Sequence, residues 1–131
     1  NHQRFQAFRG DGKSNTQKPA AIAFNGDVYL GLDARTMTAE DFAYAQNHVR
    51  ILSGLYGLLR PLDAIEPYRL EMGSNLKNPR GKTLYDYWGD SLAKAINKIV
   101  AGQVDKTIVN LASNEYFSAA GAKALNFPVV T

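Results

Sequence analysis

Lys106-Thr107-Ile108-Val109-Asn110-Leu111-Ala112 is a β-branched run, and Phe127-Pro128-Val129-Val130-Thr131 is a second strand-like run. Between them Ser113 can cap a helix over 114–125. A parallel pair of strands needs a crossover of about a dozen residues or more, usually helical, and this connection is close to that minimum. The stretch therefore predicts a βαβ unit, which constrains the fold more than any other part of the chain. Strands alternating with helices give an α/β (mixed α+β) class, with a mixed sheet flanked by helices.

The remaining elements follow from periodicity and punctuation. Ala20-Ala21-Ile22-Ala23-Phe24 reads as a short buried strand, Asn25-Gly26-Asp27 as a turn, and Val28–Leu32 as a second short strand or an extended loop. Thr38 caps a helix over 39–53, with Glu40 and Asp41 in its first turn and Phe42, Ala45, Val49 and Leu52 on one face. Gly54 stops that helix, Gly57 closes a tight hairpin, and Leu58-Leu59-Arg60 starts a new turn. Pro67–Met72 alternates and reads as strand. Thr83 caps a helix over 83–101 with Tyr85, Trp88, Leu92, Ile96 and Ile99 facing the core, ended by Gly102. Asn1–Phe8 reads as the tail of an amphipathic helix and residues 10–19 as an exposed, mobile loop. Both ends look cut, so one domain spanning 1–131 is expected, as the central part of a longer chain.

Composition removes several function classes. The chain has 131 residues and 45% hydrophobic residues, so it can bury a core without staples. It has no Cys, which excludes disulfides and thiolate metal sites. His2 and His48 stand isolated and no acids sit at ligand spacing, so no metal and no cofactor is expected. No apolar run approaches ~18 residues, so no membrane span is expected. No signal-peptide pattern is read, which makes the cytoplasm the expected compartment; a monomer is the expected state. Lys+Arg number 15 against 12 Asp+Glu. The excess is uneven, with Lys77, Arg80, Lys82, Lys94, Lys98 and Lys106 against Asp86, Asp90 and Asp105 in one basic stretch.

Three places could carry chemistry. The first is the strand-to-helix joint, where Asn110, Ser113, Asn114 and Glu115 gather at a strand's carboxyl end, the usual ligand position in open α/β sheets. Simple capping by Ser113 is the competing reading. The second is Arg69 with Glu71, on one face of the expected strand, either as a surface ion pair or as a cleft in which Arg69 holds a phosphate or carboxylate. The third is the hairpin Ser53-Gly54-Leu55-Tyr56-Gly57, flanked by Arg50 and Arg60. Backbone N–H groups at a glycine turn between helices can grip a phosphate, which would read DNA backbone rather than sequence. A plain corner between two helices fits the same residues. Arg69, Glu71, Asn110, Ser113 and Glu115 are expected in one concave region.

Five ordered strings go further. They are Ala23–Leu32, Leu52–Asp63, Pro67–Gly73, Leu84–Asp90 and Asn110–Phe117. In this order they resemble the YaaA family of bacterial peroxide stress response proteins, over roughly residue 20 to the C-terminus. The resemblance implies a protein that limits iron-driven damage under hydrogen peroxide. It also implies double-stranded DNA as a partner, bound through a cationic cleft and a helix-hairpin-helix-like element that falls on Ser53–Arg60. Helix-hairpin-helix modules have one residue between the two glycines, and this chain has two. The alternative is an enzyme acting on a nucleobase, nucleoside or phosphate-bearing ligand through the polar strand end. No nucleophile–base pair is recognisable for it.

Overall fold

The computed structural model describes residues 17–131, so the readings made for Asn1–Phe8 and most of 10–19 lie outside it. The class is mixed α/β, with six α-helices and three two-stranded sheets among the described residues. The residues form two compact units, one running to Ile51 and including Leu59–Leu70, the other made of Leu52–Leu58 and Glu71–Thr131.

In the first unit β1 (Lys18–Pro19) pairs antiparallel with β4 (Ala64–Ile65), Lys18 opposite Ile65. The expected strand over Ala20–Phe24 is instead a helical turn, α1 (Ala20–Ala23). A run of five apolar residues does not distinguish strand from buried helix. Alanine favours the helix, and the Ala20 and Ala21 amides are taken by the Asp63 and Pro61 carbonyls at 2.9 Å. Val28–Leu32 is also helical, as α2 (Asp27–Leu32), entered through Gly26 and left through Asp33 at φ 47.

Thr38 caps α3 (Ala39–His48) with a full capping box. Its Oγ1 accepts the Asp41 amide while Asp41 accepts the Thr38 amide. The helix ends at His48 rather than at 53. Val49 is extended and Ile51 begins a strand, as β-branched residues prefer. The Arg50 guanidinium donates to the Gln46 and Val49 carbonyls, at 2.7 and 2.8 Å, and so closes the helix end.

Next come β2 (Ile51–Ser53) and β3 (Gly57–Leu59), hydrogen-bonded neighbours joined through Gly54-Leu55-Tyr56. The helix-hairpin-helix-like element is therefore a β-hairpin. The glycine turn is flanked by strands, whose alternate residues are buried in the pattern of pleated backbone. Residues 67–72 form no strand either. Pro67 lacks a donor, and the Glu71 carbonyl turns to accept the Ser74 amide.

In the second unit Thr83 caps α4 (Leu84–Trp88) with another capping box, closed by Asp86. The helix expected over 83–101 breaks at Gly89, φ 51, and resumes as α5 (Ser91–Ala101). Leu92, Ala93 and Val100 of α5 are buried. Thr83→Ala should cost about 1 kcal/mol, a fall in Tm of about 3–5 °C by calorimetry; no measurable fall would show the box to be idle.

The βαβ reading holds. β5 (Ile108–Val109) and β6 (Val129–Val130) are parallel, Ile108 opposite Val129 and Val109 opposite Val130. Ser113 caps the crossover, but the helix is only α6 (Asn114–Phe117) followed by 3-10 turns at Ser118–Ala120 and Ala122–Ala124. Gly121 at φ 65 breaks the path.

Candidate functional site

The hairpin is bound into its own unit. Ser53 is fully buried and its Oγ accepts the Tyr56 amide at 3.0 Å. The Trp88 indole donates to the Gly54 carbonyl at 3.1 Å. Gly57 has φ 83, and a Cβ there would stand 2.8 Å from two ring carbons of Trp88. Its glycine serves a left-handed backbone and close ring packing, so these groups are engaged within the protein. Arg50 and Arg60 are likewise engaged. Arg60 pairs with Asp63 at 2.9 Å, and Asp63 also accepts the Arg60 amide at 2.7 Å. The Arg50 pKa is lowered, first by burial and then by nearby Arg60, with Asp63 opposing.

The polar strand end is only partly assembled as expected. Asn110 Oδ1 accepts the Ala112 amide at 2.9 Å, a local turn. Ser113 Oγ accepts the Tyr116 amide, and the Asn114 carbonyl accepts the Ser118 hydroxyl. Glu115 reaches further. Its Oε2 accepts the Gly73 amide at 3.0 Å, and its carbonyl accepts the Tyr85 hydroxyl at 2.7 Å. Glu71 is close enough to Tyr116 to act on its charge, so Glu71 and Glu115 converge on one phenol. Arg69 is an exposed residue of the first unit.

Tyr116 has its pKa raised by burial first, then by Glu115, against a lowering hydrogen bond from the Met72 backbone; Glu71 and Tyr85 raise it further. A phenol that stays protonated more firmly when folded stabilises the fold fully below the ordinary tyrosine pKa of about 10. That share is lost as pH rises through the higher folded value. Tyr116→Phe should therefore flatten the loss of stability above about pH 10 in urea titrations. An unchanged alkaline limb would contradict this.

The third arrangement is a basic turn. Asn78 and Gly81 exchange two backbone hydrogen bonds, 2.9 and 3.1 Å, with Pro79 and Arg80 between them. The Asn78 amide nitrogen donates to the Leu76 and Thr83 carbonyls, and its Oδ1 accepts the Arg80 amide. Asp86 Oδ2 accepts the Lys82 and Thr83 amides, at 3.0 and 3.3 Å. A Cβ on Gly81 would lie 2.5 Å from Asp86, so only glycine lets the carboxylate sit there. Arg80 donates to the Tyr87 carbonyl at 3.0 Å and lies 5.4 Å from the centre of the Tyr87 ring. Lys77, Arg80 and Lys82 are all exposed, and no acid occurs within 77–82.

The family model for peroxide stress protein YaaA matches residues 1–131, the whole chain. The chain belongs to the peroxide stress protein YaaA family. All of it aligns, at 55% identity, with UPF0246 proteins of Dinoroseobacter shibae and Caulobacter vibrioides, covering 49% and 51% of their lengths. It is 58% identical to UPF0246 protein PHZ_c0561 of Phenylobacterium zucineum, covering 48% of that protein. The chain thus spans about half the length of the curated relatives it matches. Among the described residues no helix is long and apolar enough to cross a membrane.

Sequence reasoning grouped Lys77, Arg80 and Lys82 into a long basic stretch and missed the rigid turn that presents them. The signal for it is Asn78-Pro79-Arg80-Gly81, which has turn residues in turn order.

Proposed function

We propose that this chain acts in the peroxide stress response by binding the phosphate backbone of duplex DNA, with Lys77, Arg80 and Lys82 as the contacting cations. The observation that carries this reading is the fixed basic turn. Asp86, the nearest acid in sequence, has its carboxylate spent on two turn amides. The turn is held by hydrogen bonds of its own, so little backbone order remains to be imposed on binding. Contacts of this kind carry little sequence preference. Cations condensed on DNA phosphates are displaced when basic side chains take their place, Fe2+ among them, which connects this binding to limiting iron-driven damage. The hairpin residues Ser53, Gly54, Leu55, Tyr56 and Gly57 then serve as a support through Trp88, which follows Tyr87 in α4.

Fluorescence anisotropy with two labelled duplexes of unrelated sequence tests the proposal. Both should bind within about threefold of each other, and K77A/R80A/K82A should weaken both by about tenfold or more. Failure of the intact chain to bind at low salt, or equal binding by the variant, would overturn it.

A further inference from the structure

The β5–β6 pair is a parallel sheet of two strands, and its outer surface is apolar. Val109, Val130 and Leu111 are 63%, 55% and 71% exposed, whereas Ile108 and Val129 on the other face are half-buried. Val109 and Val130 are paired in register, and Leu111 lies two residues beyond Val109 on the same side. Parallel sheets are covered on both faces almost without exception, because their crossovers and neighbours lie there.

Among the described residues neither edge pairs with a further strand. The Ile108 amide donates to the Pro128 carbonyl at 2.8 Å and the Asn110 amide to the Val130 carbonyl at 2.7 Å. In a parallel ladder only alternate residues of a strand bond a given neighbour. Val109 on one strand and Val129 on the other therefore turn their N–H and C=O groups away from the pair. Such edges invite a further strand.

We infer that the β5 edge takes a further β-strand and that the apolar face takes the chain flanking that strand, both supplied by the half of the family's chain that lies outside the matched region. Three features choose this occupant. The curated relatives are about twice as long as the matched region, so a segment of the right size belongs to the same molecule. The exposed side chains are uncharged and branched, as for a surface continuous with a core. The open groups are backbone donors and acceptors, which a strand satisfies and a helix does not. This inference does not rest on the DNA reading.

Amide hydrogen exchange by NMR, in the full-length Caulobacter vibrioides relative and in this chain, reads the edge directly. In the relative, the amide standing at the position of Val109 should exchange about 100-fold more slowly than in this chain, as slowly as its ladder-bonded neighbours. The double change Val109→Lys with Val130→Lys reads the face. In this chain Tm should move by only about 2 °C, while the same positions in the relative should lose about 10 °C or more, or fail to fold. Fast exchange at the Val109 position in the relative, or equal small Tm shifts in both proteins, would overturn the inference. Protection in this chain alone that grows with concentration would also overturn it, because a second copy would then be the occupant.

Discussion

Gly57→Val should destabilise the protein by about 3–5 kcal/mol, a large part of the ~5–15 kcal/mol of a typical domain. Two costs combine. A β-branched residue at φ 83 is strained, by about 1–3 kcal/mol. Its Cβ would also stand 2.8 Å from the Trp88 ring, well inside the ~3.5–4.0 Å of ordinary carbon contact. The ring cannot retreat without breaking its hydrogen bond to the Gly54 carbonyl, and overpacking of this kind costs about 1–3 kcal/mol more. Gly31 is the control, since no atom lies within 4 Å of its would-be Cβ and it sits in α2. Gly31→Ala should be neutral or should gain about 0.5–1 kcal/mol. Urea titration of both variants gives the comparison. A Gly57→Val midpoint equal to wild type would refute the packing account of this turn.

Met72→Ala should cost about 2–5 kcal/mol, because Met72 is fully buried and among the largest side chains in that state. The segment 71–73 has no secondary structure to hold it. It is fastened by Met72 in the core, by the Gly73 amide on Glu115, and by the Met72 backbone bond to Tyr116. Emptying the anchor should therefore loosen the Glu71–Glu115–Tyr116 cluster too. Near-ultraviolet circular dichroism would show weaker tyrosine signals as well as a lower urea midpoint. Met72→Leu, of similar volume, should cost less than about 1.5 kcal/mol. A cost below about 1 kcal/mol for the alanine variant would mean that the site collapses freely.

What the sequence disclosed followed physical locality. The caps Thr38 and Thr83 are signals within one helical turn, and both form, each completed by an acid three residues on. The β-branched pairs Ile108–Val109 and Val129–Val130 carried their own strand preference, so the βαβ unit was legible. Short apolar runs were not. Ala20–Ala23 is helical because the Asp63 and Pro61 carbonyls, some 40 residues away, take its amides. The helix of α3 stops five residues early because Val49 and Ile51 favour extended backbone once Arg50 has capped its carbonyls. The hairpin is not legible because Gly54 and Gly57 fit a corner between helices as well as a three-residue β-loop followed by a positive-φ glycine. At the candidate site, Glu115 was found from its place after a strand. Its partner Gly73 was not, since nothing local in the sequence joins them.

Binding of the DNA backbone turns on Lys77, Arg80 and Lys82. Each phosphate neutralised by such a cation contributes about −0.9 to the slope of log Kobs against log salt for duplex DNA. Three contacts predict a share of about −2.7, so raising salt from 50 to 200 mM should cut affinity by roughly 40-fold through this turn alone. The decisive measurement is the slope for wild type and for K77A/R80A/K82A on the same duplex, by fluorescence anisotropy. The variant's slope should be shallower by about 2.7 units. Equal slopes for the two proteins would contradict it.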